Sequence, residues 1–212
     1  LARYIPGAQA VSTRLPQCPE LALYLLNADY PQHELDAEAM AAILNYPAYW
    51  AFCWASGQVL ARYLLDCPQL VAGKTVLDFG CGSGVLALAA LVCGAGEAVA
   101  VDHDPQALAA TRHNGVENGV ADRLLVTDAV PAGARFDALL ANVLAGPLVS
   151  LAPELLKTLM PGALVVLSGI LPPQAEAVAQ AWVGVDFEYR EADGWVCLVG
   201  TASAQVEEAS HG

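Results

Sequence analysis

Thr75-Val-Leu-Asp78-Phe-Gly80-Cys-Gly82-Ser-Gly84-Val-Leu-Ala87 is the stretch that decides the architecture of this chain. Thr75 to Phe79 is a short apolar run that reads as a buried strand. A turn carrying Gly80, Gly82 and Gly84 follows, and an alanine- and leucine-rich helix begins near Gly84. Glycine takes positive φ without penalty and lets backbone come close to a ligand. Asp78 sits two residues before the first glycine, and the helix start directs unpaired N–H groups into the same space as the turn.

Outward from this stretch, strand and helix signals alternate. Strands are predicted at 75–79, 97–101, 123–127, 136–141 and 163–168. Helices are predicted at Gly84 to Cys93, from Pro105 to about Asn118, at Pro147 to Leu159 and from Pro172 to Val183. Asp104 precedes Pro105 as a helix cap. The pattern is α/β, a mostly parallel sheet with crossover helices. Val185 to Glu191 and Trp195 to Ala202, joined at Asp193-Gly194, read as an antiparallel hairpin at the sheet edge. Before residue 55 the chain reads as a small helical extension (1–54), with short helices at Leu21 to Leu26 and Leu35 to Leu44. Another helix covers Val59 to Leu65. Residues 55–202 form the main domain, and 203–212 read as a polar tail.

The 212 residues carry 9 basic and 22 acidic side chains, a formal charge of −13. Such a surface would be repelled by nucleic-acid phosphates and suits a basic protein partner or simple solubility. No apolar run reaches the length of a membrane span. The six cysteines form no C-x-x-C pair and sit mostly in apolar surroundings, as in a reduced cytoplasmic protein. No histidine stands at metal-ligand spacing.

The glycine spacing selects among ligands. A dinucleotide turn needs G-x-G-x-x-G, but here the third glycine falls two residues after the second. A phosphate loop needs a Gly-Lys-Ser or Gly-Lys-Thr sequence, and none follows. The G-x-G-x-G form behind Asp78 resembles the loop of class I S-adenosylmethionine-dependent methyltransferases. That resemblance covers roughly residues 55–202. It implies a Rossmann-like seven-stranded sheet with helices on both faces and an antiparallel last strand.

Polar residues fall at four strand ends: Asp78, Asp102, Asp128 and Asn142. Ligands of open α/β sheets bind beyond such ends. The resemblance implies that Gly80, Gly82 and Gly84 pack against the methionine part of S-adenosyl-L-methionine, and that Asp78 helps hold its amino end. It also implies that Asp102 accepts both ribose hydroxyls, and that Asp128, His103 and Ala129 border the adenine. A carboxylate suits a vicinal diol because it offers two acceptor oxygens.

Leu140 to Leu148, Asp102 to Asn114 and Leu167-Ser-Gly169-Ile-Leu resemble the bacterial ribosomal-protein lysine methyltransferases. Pro47 to Gln58 and Leu60 to Asp66 resemble the lysine methyltransferases of the electron-transfer flavoprotein β subunit, which implies that Trp54 and Gly57 help close the cofactor pocket. Both groups methylate lysine on proteins. The chain departs from the flavoprotein group at Asn142 and Ala145, where that group has an acidic residue and a tyrosine. The side-chain oxygen of Asn142, the Val143 carbonyl or a water could orient the acceptor amine, Asn142 being the candidate side chain, and no histidine or carboxylate base is evident beside it. A protein lysine is the expected acceptor. Two alternatives are a small-molecule N- or O-methyltransferase and a non-catalytic cofactor-binding module.

Overall fold

The computed structural model describes residues 9–26, 49–51, 55–192 and 194–203. An antiparallel pair, β1 (Ala10–Arg14) and β2 (Ala22–Leu26), comes first, and α1 (Ala55–Asp66) leads into the main sheet. The sheet is then built from β3 (Thr75–Phe79), α2 (Val85–Val92), β4 (Glu97–Val101), α3 (Pro105–Glu117), β5 (Leu124–Thr127) and β6 (Phe136–Asn142). It continues through α4 (Ala145–Ser150), α5 (Ala152–Leu156), β7 (Leu159–Ile170), α6 (Ala175–Ala181), β8 (Val185–Ala192) and β9 (Trp195–Ala202). Strand order is β5-β4-β3-β6-β7-β9-β8, with β9 antiparallel to both of its neighbours.

Alternation along each strand divides the core between the two faces. Val76, Ala98, Ala100, Ala138, Leu140 and Val166 face one side, packing with α1, α2 and the β1–β2 hairpin. Leu77, Val99, Val101, Leu139, Val165 and Leu167 face the other, against α4, α5 and α6. Helix α2 is buried from Val85 to Leu91. It is apolar all round because it lies inside the first layer and not on its surface.

Three sequence expectations are corrected. Leu21 to Leu26 is not a helix: β2 pairs with β1, setting Ala22 opposite Arg14 and Tyr24 opposite Ser12. Leu21, Leu23 and Leu25 are buried at every second position, a strand period that outweighs the helix propensity of leucine and alanine. The helix expected from Pro147 to Leu159 is two short helices meeting at Leu151. Pro153 lacks an N–H and its ring conflicts with the carbonyl four residues back, so one helix cannot run through. Strand β7 begins at Leu159 instead of Ala163, carrying the exposed Pro161 and Gly162 through a register shift between Phe136 and Ala138 of β6. The helix expected at Leu35 to Leu44 lies outside the described residues. No helix among the described residues is long and apolar enough to cross a membrane.

Candidate functional site

Four adjacent parallel strands end at one level. Phe79 pairs with Val101 and Ala141, and Val101 pairs with Thr127. The next residues are Gly80, Asp102, Asp128 and Asn142, so three of the four predicted polar strand ends form a single row, while Asp78 stands two residues back, buried inside β3. The chain turns one way from β3 to β4 and β5 and the other way to β6. This is the topological switch point where open α/β sheets take ligands.

Gly80, Gly82 and Gly84 have φ of 71°, 55° and 82°. Space adds to conformation at the first and third. A Cβ on Gly80 would run into Val143, and one on Gly84 would stand 2.7 Å from Thr111 Cγ2. The turn is tied to the tip of β4. The Gly80 and Cys81 N–H groups donate to the Val101 carbonyl, at 2.8 and 3.0 Å. The Gly82 N–H donates to Asp102 Oδ2 at 2.9 Å, and the Asp104 N–H donates to Asp102 Oδ1 at 3.0 Å. Each Asp102 oxygen keeps a lone pair for a further donor. His103 is exposed beside it, its Nδ1 3.6 Å from Asp102 Oδ1. Asp128 and Ala129 are exposed on the bend after β5.

Asp78 is the buried charge of the site, 1% exposed. Its Oδ2 accepts the Ala87 N–H of α2 at 3.0 Å, while Oδ1 is buried without a partner among the described residues. Burial pushes its carboxyl up from 3.8 to about 7; the negative Asp102 adds to the rise and the Ala87 N–H opposes it. Across the switch point, Asn142 Oδ1 is likewise buried without a partner among the described residues. Its Nδ2 stands 3.1 Å from where a Cβ on Gly57 would sit, so α1 approaches the end of β6 through glycine. A buried acceptor without a donor costs about 1–3 kcal/mol and calls for an explanation. Two such acceptors at the ends of β3 and β6 fit a ligand that brings its own donors.

Trp54 lies outside the described residues. The neighbouring Trp50 is 7% exposed with its indole N–H unpartnered, and its Cα lies 3.8 Å from a Cβ built on Gly82. Sequence reasoning gave Trp50 no role of its own, only a place within the stretch Pro47 to Gln58. It also gave no site role to Thr111 or Asn114, which hold the carbonyls of Gly82 and Ser83 at 3.0 and 2.8 Å. Their spacing of three on α3 was the available signal. Cys81 is buried beside Thr111, and burial pushes its thiol far up, so it is a packed residue of the turn and no nucleophile.

A seven-stranded sheet with an inserted antiparallel strand, and a G-x-G-x-G turn bound to the β4 carboxylate, define the class I methyltransferase fold. Within that class the chain belongs to the ribosomal protein L11 methyltransferase (PrmA) family, whose model matches residues 60–203. The ribosomal protein L11 methyltransferase of Pseudomonas putida (strain W619) is 53% identical over 142 residues, 64% of this chain and 48% of that protein. That of Bordetella parapertussis is 50% identical over 135 residues, 62% of this chain and 43% of that protein. The chain thus spans about half the length of the curated relatives it matches. The crystal structure of ribosomal protein L11 methylase from Lactobacillus delbrueckii subsp. bulgaricus superposes with a TM-score of 0.63 at 28% identity. The superposition covers 70% of this chain and 79% of that one.

Proposed function

We propose that this chain is an S-adenosyl-L-methionine-dependent protein-lysine methyltransferase whose acceptor is a ribosomal protein of the L11 type. The observation that carries the reading is the Asp102 carboxylate, which braces the glycine turn through Gly82 and keeps acceptor capacity on both oxygens. Family membership over residues 60–203 supports the acceptor class. The acidic surface, −13 overall, complements a basic protein substrate.

S-adenosyl-L-methionine, when bound, supplies a methyl group already activated on a sulfonium. The residues of this chain bind and align. Asp102 takes the two ribose hydroxyls on its remaining lone pairs. Asp78 places a buried negative charge behind the turn, to which a cationic amino end would bring the donor that Oδ1 lacks. Asp128, His103 and Ala129 border the adenine, and Gly57 of α1, set against Asn142, helps close the pocket. Asn142 Oδ1 accepts an N–H of the acceptor amine and points its lone pair toward the methyl group, which is the alignment such a transfer needs. An apolar surround favours the neutral amine over lysine's ordinary cation. The amine's proton leaves to water or a carbonyl.

Domain limits follow the same reading. Residues 55–202 hold the cofactor machinery, and the segment before them governs which acceptor docks.

Calorimetry with S-adenosylhomocysteine is expected to give one site per chain; absence of binding would sink the assignment. Incubation with a labelled methyl donor and a bacterial extract is expected to place the label on protein, and on lysine after hydrolysis. Label confined to the low-mass fraction would make the acceptor a small molecule.

A further inference from the structure

Helix α3 sets Thr111, Asn114 and Asn118 along one face, three and four residues apart. Asn114 is fully buried, and both ends of its amide are engaged. Its Nδ2 donates to the Ser83 carbonyl at 2.8 Å, and its Oδ1 accepts the Tyr24 N–H of β2 at 2.8 Å. One turn further on, Asn118 Oδ1 accepts the Ala22 N–H at 3.0 Å and its Nδ2 donates to the Ala22 carbonyl at 2.6 Å. The backbone groups of Ala22 and Tyr24 therefore face α3 and not β1. The Tyr24 ring also meets His113 edge-on, with centroids 4.2 Å apart.

The same helix face sets the glycine turn. Thr111 holds the Gly82 carbonyl and Asn114 holds the next one, that of Ser83. In a trans peptide the N–H points opposite to the C=O. Fixing these two carbonyls against α3 therefore fixes where the Ser83 and Gly84 N–H groups face. Gly84 N–H closes the turn on the Cys81 carbonyl at 2.7 Å.

We infer that Asn114 is a positioning residue that couples docking of the β1–β2 hairpin to the peptide planes of the glycine turn, so that a segment remote from the strand ends sets cofactor affinity. The inference rests on the cofactor reading proposed above. Its mechanism is the rigidity of one amide. If Tyr24 withdraws, Oδ1 is left buried without a donor. Rotating the amide to find a new donor withdraws Nδ2 from Ser83. Coupling of this kind is reciprocal, so cofactor must also tighten the hairpin.

Hydrogen exchange on the unmodified chain reads the coupling directly. On saturation with S-adenosylhomocysteine, the Ala22 and Tyr24 amides are expected to slow by about threefold or more. Calorimetry on variants reads it from the other side. Tyr24→Pro removes the N–H facing Asn114 and is expected to weaken binding about five- to tenfold. Tyr24→Ala keeps that N–H, loses only the ring, and is expected to stay within about twofold. Asn114→Asp keeps the acceptor for Tyr24 but sets a carboxylate oxygen against the Ser83 carbonyl, and is expected to weaken binding about tenfold. No slowing at Ala22 and Tyr24, or a folded Tyr24→Pro variant binding as tightly as the parent, overturns the coupling. Failure of the parent chain to bind overturns the cofactor reading itself and the coupling with it, and is seen before any variant is made.

Discussion

Replacing Asp78 by Asn should make the free protein more stable and the cofactor weaker, and the stability gain should depend on pH. The carboxyl is 1% exposed, and burial followed by the charge of Asp102 raises it from 3.8 to about 7. Between those values the folded chain keeps a proton that the unfolded chain has released, so stability falls as pH rises from about 4 to about 7 and is level above. At about 1.4 kcal/mol per pH unit, the rise corresponds to about 4 kcal/mol lost by pH 8. Asparagine is nearly isosteric, can accept the same Ala87 N–H and stays neutral throughout. Urea denaturation of the ligand-free proteins should therefore give nearly equal stabilities only below the ordinary carboxyl value of 3.8. At pH 8 the variant should be ahead by about 2–4 kcal/mol, the full shift being the ceiling because a partly opened site hydrates the carboxylate. The same variant should bind S-adenosylmethionine about tenfold more weakly, having lost an anion behind a cationic group. A difference in stability that does not change with pH, or a variant less stable at pH 8, would refute the placement of a destabilised charge beneath the turn. A site that gives up stability for ligand charge is a familiar trade.

Asp102→Ala should lower S-adenosylhomocysteine affinity by about an order of magnitude or more in calorimetry, since it removes the diol acceptor and releases the Gly82 N–H; unchanged affinity would remove its ribose role. Gly57→Ala puts a methyl 3.1 Å from Asn142 Nδ2 at the edge of the cofactor pocket, so kcat should fall about tenfold and the cofactor KM should rise, and unchanged values of both would remove Gly57 from the pocket. Burial raises the Cys18 thiol to about 11 and pushes Cys81 higher, so iodoacetamide at pH 7.5 should leave both unlabelled in the folded chain; rapid native labelling of either would contradict the packing of the hairpin or the turn.

Much of the parallel sheet is legible locally, because each piece carries its own physical signal. Thr75–Phe79 and Glu97–Val101 are strands at the limits their apolar runs mark, and Asp104 caps α3 by accepting the Gln106 N–H at 2.8 Å. The two-and-two glycine spacing and the strand-end residues Asp102, Asp128 and Asn142 also stand in the sequence in plain order. Sequence fails where a neighbour distant in the chain makes the decision. Leu21 to Leu26 has helix-forming residues, yet α3 supplies asparagine partners for its backbone and the core takes every second leucine, so it is a strand. Asn114 reads as one more polar helix residue until Tyr24 and Ser83 meet on it, from 90 and 31 residues away. The charge state of Asp78 is likewise decided by burial and by Asp102, which reaches it only because β3 and β4 are adjacent. The sequence by itself thus determined the fold class and the row of ligand-facing residues, since these rest on periodicity and turn chemistry within a few positions. Only the tertiary structure decided what buries Asp78, what leaves Asn142 without a donor and what holds the turn, because those depend on which remote groups share one low-dielectric space.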